Sequence, residues 1–179
     1  MKFIMGLVAA SVALHAAAAD QPYAGQQARA IKALSPDEIA GYLAGAGMGF
    51  ARAAELNSYP GPMHALELAD RLGLSAAQRA ALDTLMQRHK AEARALGAEL
   101  VERERELDAL FAEQRATPAA VDAKLAEIGA AQARVRSSHL KTHLETAALL
   151  QPAQIARYDE LRGYRGASAG APDVHRHRH

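Results

Sequence analysis

The sequence predicts an all-α fold in which one long antiparallel helical hairpin is flanked by shorter helices, and we expect this fold to dimerise. The helix-favouring residues Ala, Leu, Glu, Arg and Gln dominate the middle of the chain. No alternating run of β-branched residues is long enough to predict a strand. Between residues 74 and 150, side chains suited to a helix–helix seam recur at alternating steps of four and three.

The two arms of the hairpin are separated by Thr117 and Pro118, since threonine suits a capping position and proline the first helical position. The seam positions are Leu82, Met86, His89, Ala93, Leu96, Leu100, Arg103, Leu107 and Leu110 in the first arm, and Val121, Leu125, Ile128, Gln132, Val135, His139, Thr142, Thr146 and Leu149 in the second. With a turn near residues 116 and 117, the numbers of facing residues should sum to about 233. His89 then lies level with His143 to within about one turn.

The first 19 residues have the pattern of a secretory signal peptide. Lys2 supplies the positive start, residues 3–14 are mostly apolar, and Ala17 to Ala19 offer small residues for cleavage before Asp20. The apolar run is shorter than the roughly 20 residues that span a bilayer. We therefore expect an exported, periplasmic protein, while retention of this segment as an anchor stays open.

Three further segments complete the predicted organisation. Residues 20–34 are expected to be a flexible lead-in, residues 35–164 a helical domain, and residues 165–179 a disordered, histidine-rich tail. The domain should begin with a helix over residues 36–56, capped by Ser35 and Glu38. Glycines every four residues in this helix indicate either a close approach of another backbone or a weak, frayed helix.

The composition excludes several classes of function. There is no cysteine, so disulfides and thiolate metal sites are ruled out. Without Lys2, the 21 basic residues fall to 20 and match the 20 acidic ones, so the chain lacks the basic footprint of a nucleic-acid-binding protein. No serine lies in a nucleophile turn, and we do not expect an enzyme.

Three histidines in the hairpin are the main candidate site. His139 and His143 are four residues apart, on one helix face, and His89 comes level with them from the facing arm. Imidazole nitrogens bind divalent zinc, nickel, cobalt or copper. The alternative is a polar layer in the seam that fixes the helix register.

Two weaker candidate sites lie outside the hairpin. His64 and Glu67 are three apart on a short predicted helix over residues 63–72, and this pair could complete a ligand shell. The tail ends in alternating histidines and arginines, a composition that binds metal loosely. The tail histidines are His175, His177 and His179.

The hairpin begins and ends at two short motifs that resemble a known signature. LSAAQ at residues 74–78 and LQPAQ at residues 150–154 are similar to the LTxxQ motif of Spy/CpxP-like periplasmic proteins, and LSPDE at residues 34–38 is a looser copy. The resemblance covers residues 34–164. The family includes chaperones whose dimers cradle unfolded clients, and heavy-metal sensors and resistance proteins of the CnrX and ZraP type.

The resemblance implies a periplasmic, all-helical stress protein. The neutral mature charge and the histidine-rich tail favour the metal branch, with a metal sensor or buffer as the leading hypothesis. The alternatives are a metal-independent chaperone that holds unfolded clients and a purely structural helical dimer. Expected partners are a second copy of the chain, a membrane signalling protein or unfolded clients, with no nucleic acid.

Overall fold

A computed structural model of the protein describes residues 22–164, and within them it is helical with no β-strand. A short 3-10 helix (Gln26–Ala28) precedes six α-helices. They are α1 (Pro36–Ala44), α2 (Arg52–Glu55), α3 (Pro62–Glu67), α4 (Ala76–Ala112), α5 (Pro118–Leu149) and α6 (Pro152–Leu161). The predicted all-α fold with a long helical hairpin is confirmed. The predicted signal peptide at residues 1–19 and the tail at residues 165–179 lie outside the described residues.

Helices α4 and α5 form the antiparallel hairpin in the register that the sequence predicts. Two ion pairs, Arg88–Glu145 and Arg134–Glu99, cross the hairpin at the expected level. The seam buries apolar side chains along its length, among them Leu82, Leu100, Ile128 and Val135. Leu125 is a difference from the prediction, because it is half exposed near the closed end of the hairpin.

The helix starts follow from local side-chain chemistry. Ser35 with Glu38 and Ser75 with Gln78 form complete capping boxes, and the Thr117 hydroxyl accepts a hydrogen bond from the Ala120 amide. Each cap satisfies amide groups that have no partner within the helix.

The glutamines of the two LxxxQ motifs also contact each other. The Gln78 side-chain amide donates to the Gln154 side-chain oxygen at 2.8 Å and to the Leu149 carbonyl at 2.9 Å. This contact joins the start of α4 to the end of α5 and the start of α6. The motif thus caps its own helix and ties the open end of the hairpin together.

The helix predicted over residues 36–56 is broken into α1 and α2. Gly45 ends α1 with a φ of 64°, in the left-handed region that favours glycine. The predicted close backbone approach occurs at this break: a Cβ on Gly45 would lie 3.1 Å from the Arg94 amide nitrogen. From the other side, a Cβ on Gly97 would overlap with the Tyr42 carbonyl. Glycine therefore permits α1 to lie directly against α4.

The flanking segments pack on the hairpin from both sides. In the predicted lead-in, Ile31 and Leu34 are buried against Val101 of α4, and Lys32 pairs with Asp108. Helix α3 is shorter than predicted, ending at Glu67 and followed by turns. At the open end of the hairpin, a core cluster brings together α3, α4 and α6. Its buried members are Ala65, Ala69, Leu72, Leu74, Leu82, Leu150 and Tyr158. Within residues 22–164, no helix is both long and apolar enough to cross a bilayer.

Candidate metal centre

The seam between α4 and α5 contains a pair of buried histidines in direct contact. His89 Nε2 lies 3.1 Å from His139 Nδ1, and the two rings meet edge to face. Their exposed fractions are 8% and 5%. At this separation the two nitrogens share one hydrogen, with one ring donating and the other accepting. The Ser138 hydroxyl lies 3.4 Å from the other nitrogen of His89.

Burial keeps both of these imidazoles neutral. It lowers the pKa of His89, and it lowers the pKa of His139 to about 4, helped by the neighbouring His89 and His143. The physical cause is the loss of water around the charged form of each ring. A neutral imidazole carries a nitrogen lone pair, which is the form that binds a metal ion.

His143 lies one turn further along α5, but it does not join the pair. Its Nδ1 donates to the Tyr59 carbonyl at 2.7 Å and lies 3.6 Å from the Glu55 carboxylate. The ring packs over Gly61, where a Cβ would lie only 2.9 Å from its Cε1 atom. The predicted trio of histidines is thus a pair in the seam with the third ring held by the α2–α3 loop (residues 56–61).

Glu55, which sequence reasoning missed, is the centre of a partly buried polar cluster. One of its oxygens accepts hydrogen bonds from Tyr158 at 2.5 Å and Tyr164 at 3.0 Å, with Arg162 at 3.6 Å. The other oxygen is buried without a hydrogen bond and faces His143. Burial and the hydrogen bond to Glu55 raise the pKa of Tyr158. The only sequence signal for this cluster is a tyrosine on the apolar face of α6, since a buried hydroxyl needs a partner.

The second predicted pair forms as expected from its spacing. His64 Nδ1 lies 2.8 Å from the Glu67 carboxylate on α3, at the surface. A carboxylate on one ring nitrogen fixes the tautomer and leaves the other free for a ligand. Among residues 22–164, however, no group of three or more His, Asp or Glu side chains is arranged to hold a metal ion. The tail histidines His175, His177 and His179 lie outside the described residues.

The donor set in the seam nevertheless fits a divalent ion. Zinc binds imidazole nitrogens at about 2.0–2.1 Å, so two nitrogens in one coordination shell lie about 3 Å apart. The 3.1 Å between His89 Nε2 and His139 Nδ1 matches that spacing. The distance is therefore compatible with one shared ion, provided that both rings turn their lone pairs towards a common point.

Another interpretation of the pair is a polar layer that fixes the hairpin register. His139 stacks on Phe50, with ring centres 5.7 Å apart, and each histidine already has a hydrogen-bond partner. Further along α5, Thr142 and Thr146 bond back to carbonyls of their own helix. The geometry alone is compatible with both interpretations.

Together, the fold and the seam define a helical-hairpin protein with a neutral histidine pair between its two long helices. Comparison with known families then assigns the chain to one of them. It belongs to the heavy-metal resistance family, whose sequence profile matches residues 39–157. That range contains His64, Glu67, His89, His139 and His143, and the assignment confirms the predicted resemblance to the metal branch. No curated protein and no solved structure matches the chain.

Proposed function

We propose that the protein is a periplasmic stress protein that senses or buffers a divalent transition metal ion, with zinc, nickel, cobalt and copper as candidates. The observation that carries the proposal is the buried, neutral pair formed by His89 and His139, at a nitrogen–nitrogen distance of 3.1 Å. Membership of the heavy-metal resistance family supports it. The leader-like start of the sequence supports export.

His89 and His139 would hold the ion, one from each arm of the hairpin. The hydrogen that the two rings share must first move, because both facing nitrogens need a free lone pair. It can move to the other nitrogen of its own ring, and at His89 the Ser138 hydroxyl lies beside that nitrogen. A bound ion supplies a charged crosslink between the two arms, which stabilises the paired state.

The other predicted ligands would add to this pair or form a separate site. His143 would be the third ligand from the hairpin, and His64 with Glu67 would contribute from the adjacent helix α3. The tail histidines His175, His177 and His179 would form a separate, exchangeable site. We expect the protein to act as a homodimer, and a membrane signalling protein is the proposed reader of its metal state.

Calorimetric titration with zinc, nickel and copper tests the proposal. We expect saturable binding to a variant in which the three tail histidines are replaced by alanine, because the seam pair remains. Binding should be lost when His89 and His139 are both replaced by alanine, with intact helicity checked by circular dichroism. Absence of both binding heat and thermal stabilisation in the tail variant would overturn the proposal.

A metal-independent chaperone is the second candidate, and exposed apolar side chains support it. Leu56, Phe111, Leu125 and Leu144 are each about half exposed. A groove of about 480 Å³ is lined by Met48, Gly49, Phe50, Arg52, Ala53, Leu56, Asn57 and Arg136. Leu56 lies in this groove, and an apolar groove on a protein surface can bind other chains.

The chaperone hypothesis makes a separate prediction. A variant with His89, His139 and His143 all replaced by alanine should suppress the aggregation of a model client as well as the unchanged protein does. A purely structural helical dimer would show neither metal binding nor client protection. The two assays therefore separate the three hypotheses.

A further inference from the structure

His143 lies between the seam pair and the α2–α3 loop. It is one helical turn from His139 on the same face of α5. It therefore lies near the pair, although its ring is directed to the loop. Rotation of one side chain, without a change in the hairpin, is the smallest movement that could bring the three histidines together.

The α2–α3 loop and Glu55, the last residue of α2, hold the His143 ring by three contacts. The Tyr59 carbonyl accepts its Nδ1 hydrogen at 2.7 Å, and the buried, unbonded oxygen of Glu55 lies 3.6 Å from the same nitrogen. Gly61 provides the space, because its missing side chain would otherwise meet the ring at 2.9 to 3.0 Å. The backbone of Gly61, at φ −87° and ψ 149°, is one that any residue adopts. Glycine is thus required here for the position of His143 and not for the turn.

We propose that the α2–α3 loop competes with the metal ion for His143 and thereby sets the metal affinity of the seam. The inference rests on the proposed function, and it names the residue that links the site to the rest of the fold. His143 leaves the loop to become the third ligand beside His89 and His139. The Tyr59 carbonyl and Glu55 then lose their contacts with it.

The consequence is a signal at the α6 end of the molecule. Glu55 accepts hydrogen bonds from Tyr158 and Tyr164 through one oxygen. A change in the contacts of its other oxygen should therefore alter the environment of these two tyrosines, at α6 and just after it. The effect of the loop on the metal affinity follows from the hydrogen bond between His143 and Tyr59, which must break before His143 binds the ion. A net hydrogen bond changes such an equilibrium by a factor of about five. The loop should reduce the apparent affinity by about that factor.

Two substitutions weaken the hold of the loop in different ways. Gly61→Ala places a methyl group where the ring now lies, and Glu55→Gln removes the negative charge while keeping an acceptor for the two tyrosines. Because both release His143, each should raise the affinity for zinc or nickel about three- to tenfold. Gly129→Ala is the matched control, since a Cβ on this glycine of α5 meets nothing within 4 Å.

The measurement is a competition titration of Zn²⁺ or Ni²⁺ against a chromophoric chelator, on the full mature chain with the tail histidines replaced by alanine. His143→Ala should lower the affinity, and in that background neither Gly61→Ala nor Glu55→Gln should have an effect. There is no Trp in the chain, so near-ultraviolet circular dichroism reports the tyrosines. Metal addition should change that signal in the protein with His143 and not in His143→Ala.

The possible failures are distinguishable. If the protein binds metal through His89 and His139, but Gly61→Ala and Glu55→Gln leave the affinity unchanged or lower it, the competition is refuted and the proposed function stands. If His143→Ala binds metal as tightly as its parent, His143 is no ligand and the inference is again refuted. If the parent binds no metal, the proposed function fails first and the inference with it.

Discussion

The buried histidine pair makes the stability of the metal-free protein depend on pH in a defined window. The pKa of His139 is lowered to about 4 in the folded protein, whereas in the unfolded chain it is about 6.5. At pH 7.5 and above the ring is almost fully neutral in both states and contributes almost no pH dependence. As the pH falls from there towards 4, the unfolded chain binds the proton first, so the free energy of unfolding decreases. For one group with these two values, the loss between pH 7.5 and 5 is about 2 kcal/mol.

The assay is urea denaturation followed by far-ultraviolet circular dichroism at several pH values, in the presence of a metal chelator and at constant protein concentration. His139→Leu should show about 2 kcal/mol less change between pH 7.5 and 5 than the unchanged protein, whatever its stability at neutral pH. His64→Gln is the control, because it leaves the seam intact and should retain the loss. Equal changes in the unchanged protein and in His139→Leu would refute the assignment of a neutral, buried His139.

Three further predictions concern the packing that holds the site. Gly97→Ala should destabilise the fold by about 2–3 kcal/mol, because its Cβ would overlap with the Tyr42 carbonyl. Gly129→Ala should be neutral or stabilise by up to about 1 kcal/mol. Equal free energies of unfolding for the two variants, measured by chemical denaturation, would contradict this. Gln78→Ala and Gln154→Ala should each lower the free energy of unfolding by about 1–2 kcal/mol. A double-mutant cycle should show coupling between them, since the two side chains form a hydrogen bond with each other. Strictly additive effects would argue against the contact. Tyr158→Phe should lower the free energy of unfolding by about 1–3 kcal/mol, since the partly buried Glu55 carboxylate loses a donor. An unchanged denaturation midpoint would count against the Glu55 cluster.

Much of the fold follows from local signals in the sequence. The caps at Ser35, Ser75 and Thr117 each depend on residues within four positions, and the hairpin register follows from the turn and the seam period. The sequence set His89 level with His143, whereas in the structure His89 contacts His139, one turn away on the same arm. These features are predictable because each is decided by neighbours in the chain or by a single helix–helix interface.

The remaining features depend on groups that a sequence pattern does not mark. His143 donates to the backbone carbonyl of Tyr59. Because every residue has a backbone carbonyl, the sequence does not indicate which one accepts this hydrogen bond. Glu55 is partly buried, and it meets His143 and Tyr158 because the chain breaks at Gly45 and α2 packs against α5. A helical pattern predicts on which side of the helix a side chain lies. It does not predict which loop packs against that side.

The proposed function requires that imidazoles from both arms of the hairpin bind one metal ion. X-ray absorption fine structure at the metal edge tests it most directly, on zinc- or nickel-loaded protein with the tail histidines replaced by alanine. We expect at least two imidazole nitrogens at about 2.0–2.1 Å from the metal, and their loss when His89 and His139 are replaced by alanine. A shell of oxygen atoms alone, or a spectrum that those two substitutions leave unchanged, would contradict it.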